Sequence, residues 1–196
     1  MIPGHNHNAI AMSETEPDKS NAPPSDWVLR FAGLVPPGGA VLDLAAGGGR
    51  HARSFLERGH QVTAVDRDTD RLADLKADRN IEVIRTDLEN GSPWPLGNRR
   101  FAAVVVANYL HRPLMKQVLG AVAPGGLLLY ETFAAGNEAF GRPSNPDFLL
   151  RPGELLELVR GELTVVAYEF GLVEREGSAV IQRICARRGE APVALT

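Results

Sequence analysis

Short apolar runs recur along this chain, and most of them alternate with stretches of helical spacing. AVLDLA (40–45), HQVTAVD (60–66), IEVIRTD (81–87), FAAVVVAN (101–108) and LLLYETF (127–133) read as strands. GRHARSFLERG (49–59), RDTDRLADLKADRN (67–80), RPLMKQVLGAVAPGG (112–126) and RPGELLELVRG (151–161) read as helices, several ending on glycine. An earlier helix, SDWVLRFAGLV, starts on a capping serine, carries Trp27, Val28, Phe31, Leu34 and Val35 at helical spacing, and stops at PPGG. Such alternation demands right-handed crossovers and a parallel sheet, and the VVV and LLL runs fit strands covered on both faces. The last two runs, LTVVAYEFG (163–171) and SAVIQRICARR (178–188), are joined only by a short turn around LVEREG, so the sheet is expected to end in an antiparallel hairpin. The fold expected is α/β: a doubly wound, seven-stranded sheet, mostly parallel, closed by that C-terminal hairpin. It should occupy residues 25–188. The polar, proline-containing stretch 1–24 reads as a flexible N-terminal tail and 189–196 as a C-terminal tail.

In open parallel sheets, ligands bind beyond the carboxyl ends of the strands. The first strand runs there into AAGGG, where glycine lets a backbone pass close to a ligand and the next helix offers its free N–H groups. A glycine turn alone is a weak signal, but three aspartates end successive strands. Asp66 can accept both hydroxyls of a ribose, Asp87 can accept the exocyclic amine of adenine, and Asp43 would repel a pyrophosphate but welcome a cationic ligand end. Each could equally be a helix N-cap; the three in register favour a nucleoside ligand.

The same residues carry a resemblance. VLDLAAGGG, AVDRD and RTDLE are similar to the first three motifs of class I S-adenosylmethionine-dependent methyltransferases, APGGLLLYETF resembles the family's strand after a Pro-Gly-Gly turn, and the closing hairpin fits it too. The likeness covers roughly residues 25–188, with the 131–158 region similar to generally annotated bacterial members, including tellurite-resistance-type relatives. It implies a Rossmann-like fold, S-adenosyl-L-methionine as cofactor with S-adenosyl-L-homocysteine as product, and methyl transfer to an acceptor. It places Asp43, Ala45, Gly47, Gly49 and Asn108 around the methionine end, Asp66 and Arg67 at the ribose, and Asp87 with Leu88 at the adenine. Two positions depart from the pattern. Ala45 stands where many relatives have glycine, tolerable if φ stays negative, and Ala102 stands where an acid is common.

For the acceptor side, Tyr109 and His111 in ANYLHRP are candidates for a general base or an orienting group; the plainer alternative is that Tyr109 packs and His111 caps. The long loop GNEAFGRPSNPDF reads as a lid, with Phe140, Arg142, Asn145 and Phe148 as candidate acceptor contacts. Trp27 and Phe31 could close over the donor or simply pack, and Trp94, set between two prolines, reads as a plug on the adenine side.

The net charge of −3 gives no basic field, so nucleic acid is not favoured and a small-molecule acceptor is expected. No metal is required: the histidines, His5 and His7 of HNH included, show no ligand spacing. A single cysteine, the lack of a bilayer-length apolar run and an N-terminus unlike a secretory signal point to the cytoplasm, with no membrane partner. The protein is expected to be a monomer or weak homodimer. Two alternatives compete: an NAD(P)-dependent oxidoreductase, which would share the glycine turn and Asp66 but for which no Tyr-x-x-x-Lys is found, and a non-catalytic S-adenosylmethionine-binding module.

Overall fold

The computed structural model describes residues 22–175 and 177–194, so His5, His7 and most of the expected N-terminal tail lie outside the described residues. Seven strands form one sheet: β1 Val41–Leu44, β2 Val62–Asp66, β3 Ile81–Arg85, β4 Phe101–Ala107, β5 Val122–Phe133, β6 Thr164–Arg175 and β7 Gly177–Arg187. Their order is β3-β2-β1-β4-β5-β7-β6. β1 to β5 run parallel, and β7 pairs antiparallel with both β5 and β6. The order reverses between β1 and β4, where the carboxyl ends of neighbouring strands part and leave a crevice. The expected sheet, with its closing hairpin, is the one observed.

Alternation along the central strands sorts side chains onto two faces. Leu42, Leu44, Val104, Val106, Leu128 and Tyr130 enter one core, which is completed by α3 (Met115–Gly120) and α4 (Glu154–Val159). Val41, Val105, Leu127 and Leu129 enter the other, against α1 (Asp26–Ala32) and α2 (Arg50–Glu57). Trp27 is 2% exposed and packs edge-on against Phe31 at 4.9 Å, which makes it core rather than a cover for the crevice. Ser25 caps α1 through the N–H of Trp27, as its sequence position suggests. Trp94 packs against the core from its proline-flanked loop.

Three elements differ from their sequence reading. The 67–80 segment forms a 3-10 helix over Asp70–Ala77. Its only buried side chains are Leu72 and Leu75, three apart, and a three-residue turn stacks them directly. The helix expected over 112–126 is short: a 3-10 turn at Arg112–Leu114, then α3 ending at Gly120. Residues 123–126 instead loop within β5, where the register jumps from Phe101↔Val122 to Ala103↔Leu127. A Cβ on Gly126 would sit 2.8 Å from the Phe101 carbonyl oxygen, so the backbone approach there needs glycine. The hairpin turn is also tighter than expected, since β6 continues through Arg175 and β7 begins at Gly177. No helix among the described residues is long and apolar enough to cross a membrane.

Candidate functional site

The crevice at the β1 and β4 tips is built on a strained backbone. Ala45 and Asn108, each just past the end of one of these strands, both adopt left-handed φ, 54° and 55°. Asparagine tolerates this region; alanine does so at a cost of about 1–2 kcal/mol. The expectation of a negative φ at Ala45 is therefore corrected: the methyl group is held in a conformation suited to glycine, as strained residues at functional sites often are. Ala45→Gly should raise stability by about 1 kcal/mol after the extra unfolded-state entropy of glycine is subtracted. A thermal melt should show this as a rise of roughly 2–4 °C.

Two carboxylates tie down the glycine turn. Gly47 N–H donates to Asp66 Oδ2 at 2.7 Å, and Ala52 N–H, in the first turn of α2, donates to Asp43 Oδ2 at 2.9 Å. Gly49 occupies the N-cap of α2 with φ 76° and has no side chain to cap it, so Asp43 reaches up from β1 to do so. Gly49 itself lies under the turn: a Cβ there would come within 2.5 Å of Leu72 Cδ2. Around Gly47, by contrast, an added Cβ would meet nothing within 4 Å, which leaves space in front of the turn.

Asp43 is 1% exposed and faces α2 rather than the crevice. Burial, offset in part by the Ala52 N–H, pushes its pKa up to about 7. Beside it, His51 Nδ1 stands 3.9 Å from Asp43 Oδ1, while Nε2 accepts the Ser25 N–H at 3.2 Å, an arrangement that puts the ring proton on Nδ1. Burial, followed by the nearby Arg50 charge, lowers His51 to about 3. The two shifts act on stability with opposite sign. Between pH 3.8 and about 7 folded Asp43 holds a proton that the unfolded chain has lost, so stability falls as pH rises. Between about 3 and 6.5 the unfolded chain holds a His51 proton that the folded chain lacks, so stability rises. Over the shared range the two nearly cancel. In Asp43→Asn only the histidine contribution remains. Urea melts should find this variant gaining on the wild type by ~1 kcal/mol per pH unit from pH 4 to 7, with no further gain above that.

Four cavities open along the strand tips. A 180 Å³ cavity is lined by Ala45, Asp66, Arg67, Asp87, Leu88 and Tyr109, with Thr86 and Glu89. A larger cleft of 820 Å³ lies between the glycine turn and the loop across from it. Its wall includes Ala45, Gly47, Arg67, Asn108, Arg142, Asn145 and Phe148, among the expected residues, and Arg50 and Arg71. The other two, of 410 and 250 Å³, share Asn108 and Phe133 with this cleft. Asp66 also accepts the Asp68 N–H at 2.8 Å, and Asp87 accepts the Glu89 N–H at 2.9 Å, so each strand-end carboxylate orders the backbone beside the small cavity.

Several expected residues stand elsewhere. Asp43 and Gly49 lie beneath the turn. Phe140 is 48% exposed and lines none of the four cavities. His111 lines none either, and its side chain makes no capping bond to the turn that it begins. Tyr109 lines the small cavity beside Asp66 and Asp87 and the neighbouring 250 Å³ cavity, not the large cleft. Burial first, then the Glu89 carboxylate, holds its phenol well above the usual range, so it keeps its proton at neutral pH and is a poor general base. Asn145 spends its side chain on the Asp147 N–H at 3.0 Å.

The loop across the cleft is fastened on three sides. Its ends meet where Ala134 bridges Leu150. Asn137, buried, donates to the Pro143 carbonyl and accepts the Val180 N–H. Arg112 donates to both carboxylate oxygens of Glu154 and to the carbonyls of Asp147 and Leu149. Sequence reasoning missed Arg112, Arg50 and Glu89. Arg50, directly after the glycines, and Glu89, two residues past Asp87, were signalled by adjacency. Arg112 and Glu154, 42 residues apart, carried no local signal.

Residues 41–126 match a family model described as a methyltransferase domain. No match is found among curated proteins. Among solved structures the chain resembles TehB from Haemophilus influenzae (TM-score 0.68, 20% identity), covering 83% of this chain but only 61% of that one. It also resembles 1,6-didemethyltoxoflavin-N1-methyltransferase from Burkholderia thailandensis, solved with 1,6-didemethyltoxoflavin and S-adenosylhomocysteine bound (TM-score 0.62, 22% identity, covering 84% and 76%). The [4+2]-cyclase SpnF has the same fold (TM-score 0.60, 14% identity, covering 83% and 78%). At these identities the likeness is one of fold.

Proposed function

We propose that this chain, which carries a methyltransferase domain over residues 41–126 on a class I S-adenosylmethionine-dependent methyltransferase fold, moves a methyl group from S-adenosylmethionine to a small-molecule acceptor. The observation that carries the reading is the small cavity. It gathers the carboxylates that end β2 and β3, and Ala45 is common to its wall and to that of the larger cleft in front of the glycine turn. That set of acceptors suits an adenosyl group. In this reading Asp66 accepts the ribose hydroxyls with Arg67 alongside, Asp87 receives the adenine amine, and Leu88 packs on the ring. The backbone from Ala45 to Gly47 and the strained Asn108 flank the methionine end. Asp43 and Gly49 serve that end from beneath, by fixing the turn, and do not touch the donor.

The donor supplies an activated methyl on a sulfonium. The chain's own contribution is to bind, orient and exclude water. Phe133, shared by three cavities beside Asn108, and Phe148 on the fastened loop would keep the cleft apolar near the transferring group. With Tyr109 held protonated and His111 outside the cleft, neither side chain is assigned a proton-transfer role. An acceptor with an available lone pair fits best. The cytoplasm suits the chain's one buried cysteine, Cys185, whose thiol is pushed up to about 12 by burial.

Calorimetric titration with S-adenosylhomocysteine and with NAD tests the donor assignment: tight binding of the first and none of the second is expected. The reverse would favour the oxidoreductase. Because SpnF shares the fold but is a cyclase, binding alone does not establish transfer. Appearance of labelled methyl from S-adenosylmethionine in a small molecule of a cell extract separates a methyltransferase from a module that only binds the donor.

A further inference from the structure

Among the described residues, the buried or half-buried carboxylates belong to Asp43, Asp66, Glu131 and Glu154. Asp43 accepts the Ala52 N–H, Asp66 accepts two backbone N–H groups, and Glu154 is held by Arg112 and Arg151. The Glu131 side chain alone has no hydrogen bond or ion pair among these residues. Its natural partner lies directly across the sheet. Arg183 of β7 stands in register with Glu131 of β5 on one side and with Glu169 of β6 on the other. A cross-strand pair of unlike charge stabilises a sheet, yet the Arg183 guanidinium turns to Glu169 and to the Trp27 ring, 4.9 Å away.

Glu131 lines the 410 Å³ cavity, whose wall also carries the apolar side chains of Phe133, Val173 and Ile181. An apolar wall with a few polar groups is the form of a small-molecule site. Of the cations on that wall, Arg183 is committed to Glu169, and Arg50 donates to the Pro23 carbonyl at 3.1 Å. The Glu131 carbonyl accepts the Asn108 N–H at 2.9 Å, and the cavity shares Arg50, Asn108 and Phe133 with the large cleft. A molecule here would face the methionine end of the donor across Asn108. We propose, building on the methyl-transfer reading above, that this cavity receives the acceptor and that the acceptor is a small cationic amine. Its nitrogen bonds to Glu131, and its apolar part lies on Phe133, Val173 and Ile181. The class follows from charge: a carboxylate without a donor is best satisfied by a charged N–H group. The amine gives one proton to solvent, and the lone pair so freed attacks the methyl carbon. The C–N bond forms as the C–S bond breaks, leaving a neutral thioether and a positive charge on nitrogen. Glu131 stands where that charge arrives. A hydroxyl acceptor would bond to it more weakly, and an anionic one would be repelled.

The test uses 2-phenylethylamine as the probe, titrated into full-length protein saturated with S-adenosylhomocysteine. It should bind about 10-fold tighter than 2-phenylethanol, and Glu131→Gln should abolish that preference. The affinity of the variant for S-adenosylhomocysteine should stay within about 2-fold of wild type. Its thermal midpoint should stay within about 1 °C, because no bond inside the chain is lost. Equal binding of amine and alcohol, a preference that survives Glu131→Gln, or no binding of the amine would overturn the proposal. A second arm needs only wild-type protein: a metabolite extract is passed over a cation exchanger at neutral pH. Methyl-accepting activity should be retained on the resin. Activity in the flow-through overturns the proposal, whether or not Glu131→Gln folds. Failure of S-adenosylhomocysteine to bind wild-type protein, or an extract that accepts no methyl in either fraction, would instead sink the methyl-transfer reading, and this one with it.

Discussion

Asp66→Ala should weaken S-adenosylhomocysteine binding by roughly 100-fold, the largest loss expected of any single change at the small cavity. Asp66 stands half-buried at the end of β2, with one oxygen held by the Gly47 N–H and the other by the Asp68 N–H. Each oxygen keeps a second lone pair for a ribose hydroxyl. Hydrogen bonds to a charged group contribute about 1.5–3 kcal/mol each. Losing two, after water refills part of the space, leaves a deficit of about 3 kcal/mol, or two decades in Kd. Asp66→Asn retains one acceptor and should fall about 10-fold. The substitutions also remove or weaken the bond that holds Gly47, so a stability loss of about 1 kcal/mol should accompany them. Calorimetry separates the two effects, because a folded Asp66→Ala protein can still be titrated. Wild-type affinity in that variant would refute the placement of the ribose.

What sequence could and could not announce follows from the range over which each signal acts. The alternation of apolar runs and helical segments is local, and so is a glycine turn followed by aspartates at strand ends. The sheet, its reversal between β1 and β4, and the gathering of Asp66, Asp87 and Leu88 around one cavity were all legible for that reason. Backbone strain was not. Ala45 was read as tolerable with a negative φ, yet it is left-handed at 54°, in a turn whose next two residues are tied to β2 by the Ala46 N–H on the Val65 carbonyl and the Gly47 N–H on Asp66. Asp43 looked like a ligand contact because it shares the strand-end position of Asp66 and Asp87. It lies on the opposite face of the pleat from Leu42 and Leu44, under α2, and there becomes the cap that Gly49 lacks. The loop was legible as long and aromatic, but not which of its residues face inward. Both phenylalanines are 48% exposed, but Phe148 lines the cleft and Phe140 does not, and the loop's course is set by fastenings from β7 and from the segment after β4 that are distant in the chain.

Among those fastenings Arg112 carries the most. Its guanidinium makes a bidentate pair with Glu154, at 2.7 and 3.0 Å, and donates to the carbonyls of Asp147 and Leu149 at 2.7 and 2.8 Å. Glu154 is 5% exposed. Burial alone would push its carboxyl upward, but the bonds from Arg112 and the Arg151 N–H hold it below the usual range. Arg112→Ala would leave a buried carboxylate held only by the Arg151 N–H at 2.8 Å and the Arg151 guanidinium at 3.4 Å, and two carbonyls short of a donor, at a cost of about 3 kcal/mol. The thermal midpoint should drop by roughly 6–12 °C. The dependence on pH identifies the cause. In the wild type a depressed pKa means that this contribution is present above the unfolded value and is lost as pH falls through the folded one. Without Arg112, burial dominates, the sign reverses, and protonating Glu154 relieves the variant. The gap between wild type and variant should therefore narrow below about pH 5, and adding Glu154→Gln to Arg112→Ala should recover part of the loss at neutral pH. A gap that stays constant from pH 7 to 4, with no recovery in the double variant, would place the cost in lost packing around the arginine stem instead. Affinity for S-adenosylhomocysteine should change less than 3-fold in either variant, because Arg112 fastens the far wall of the cleft and does not line the small cavity proposed for the nucleoside.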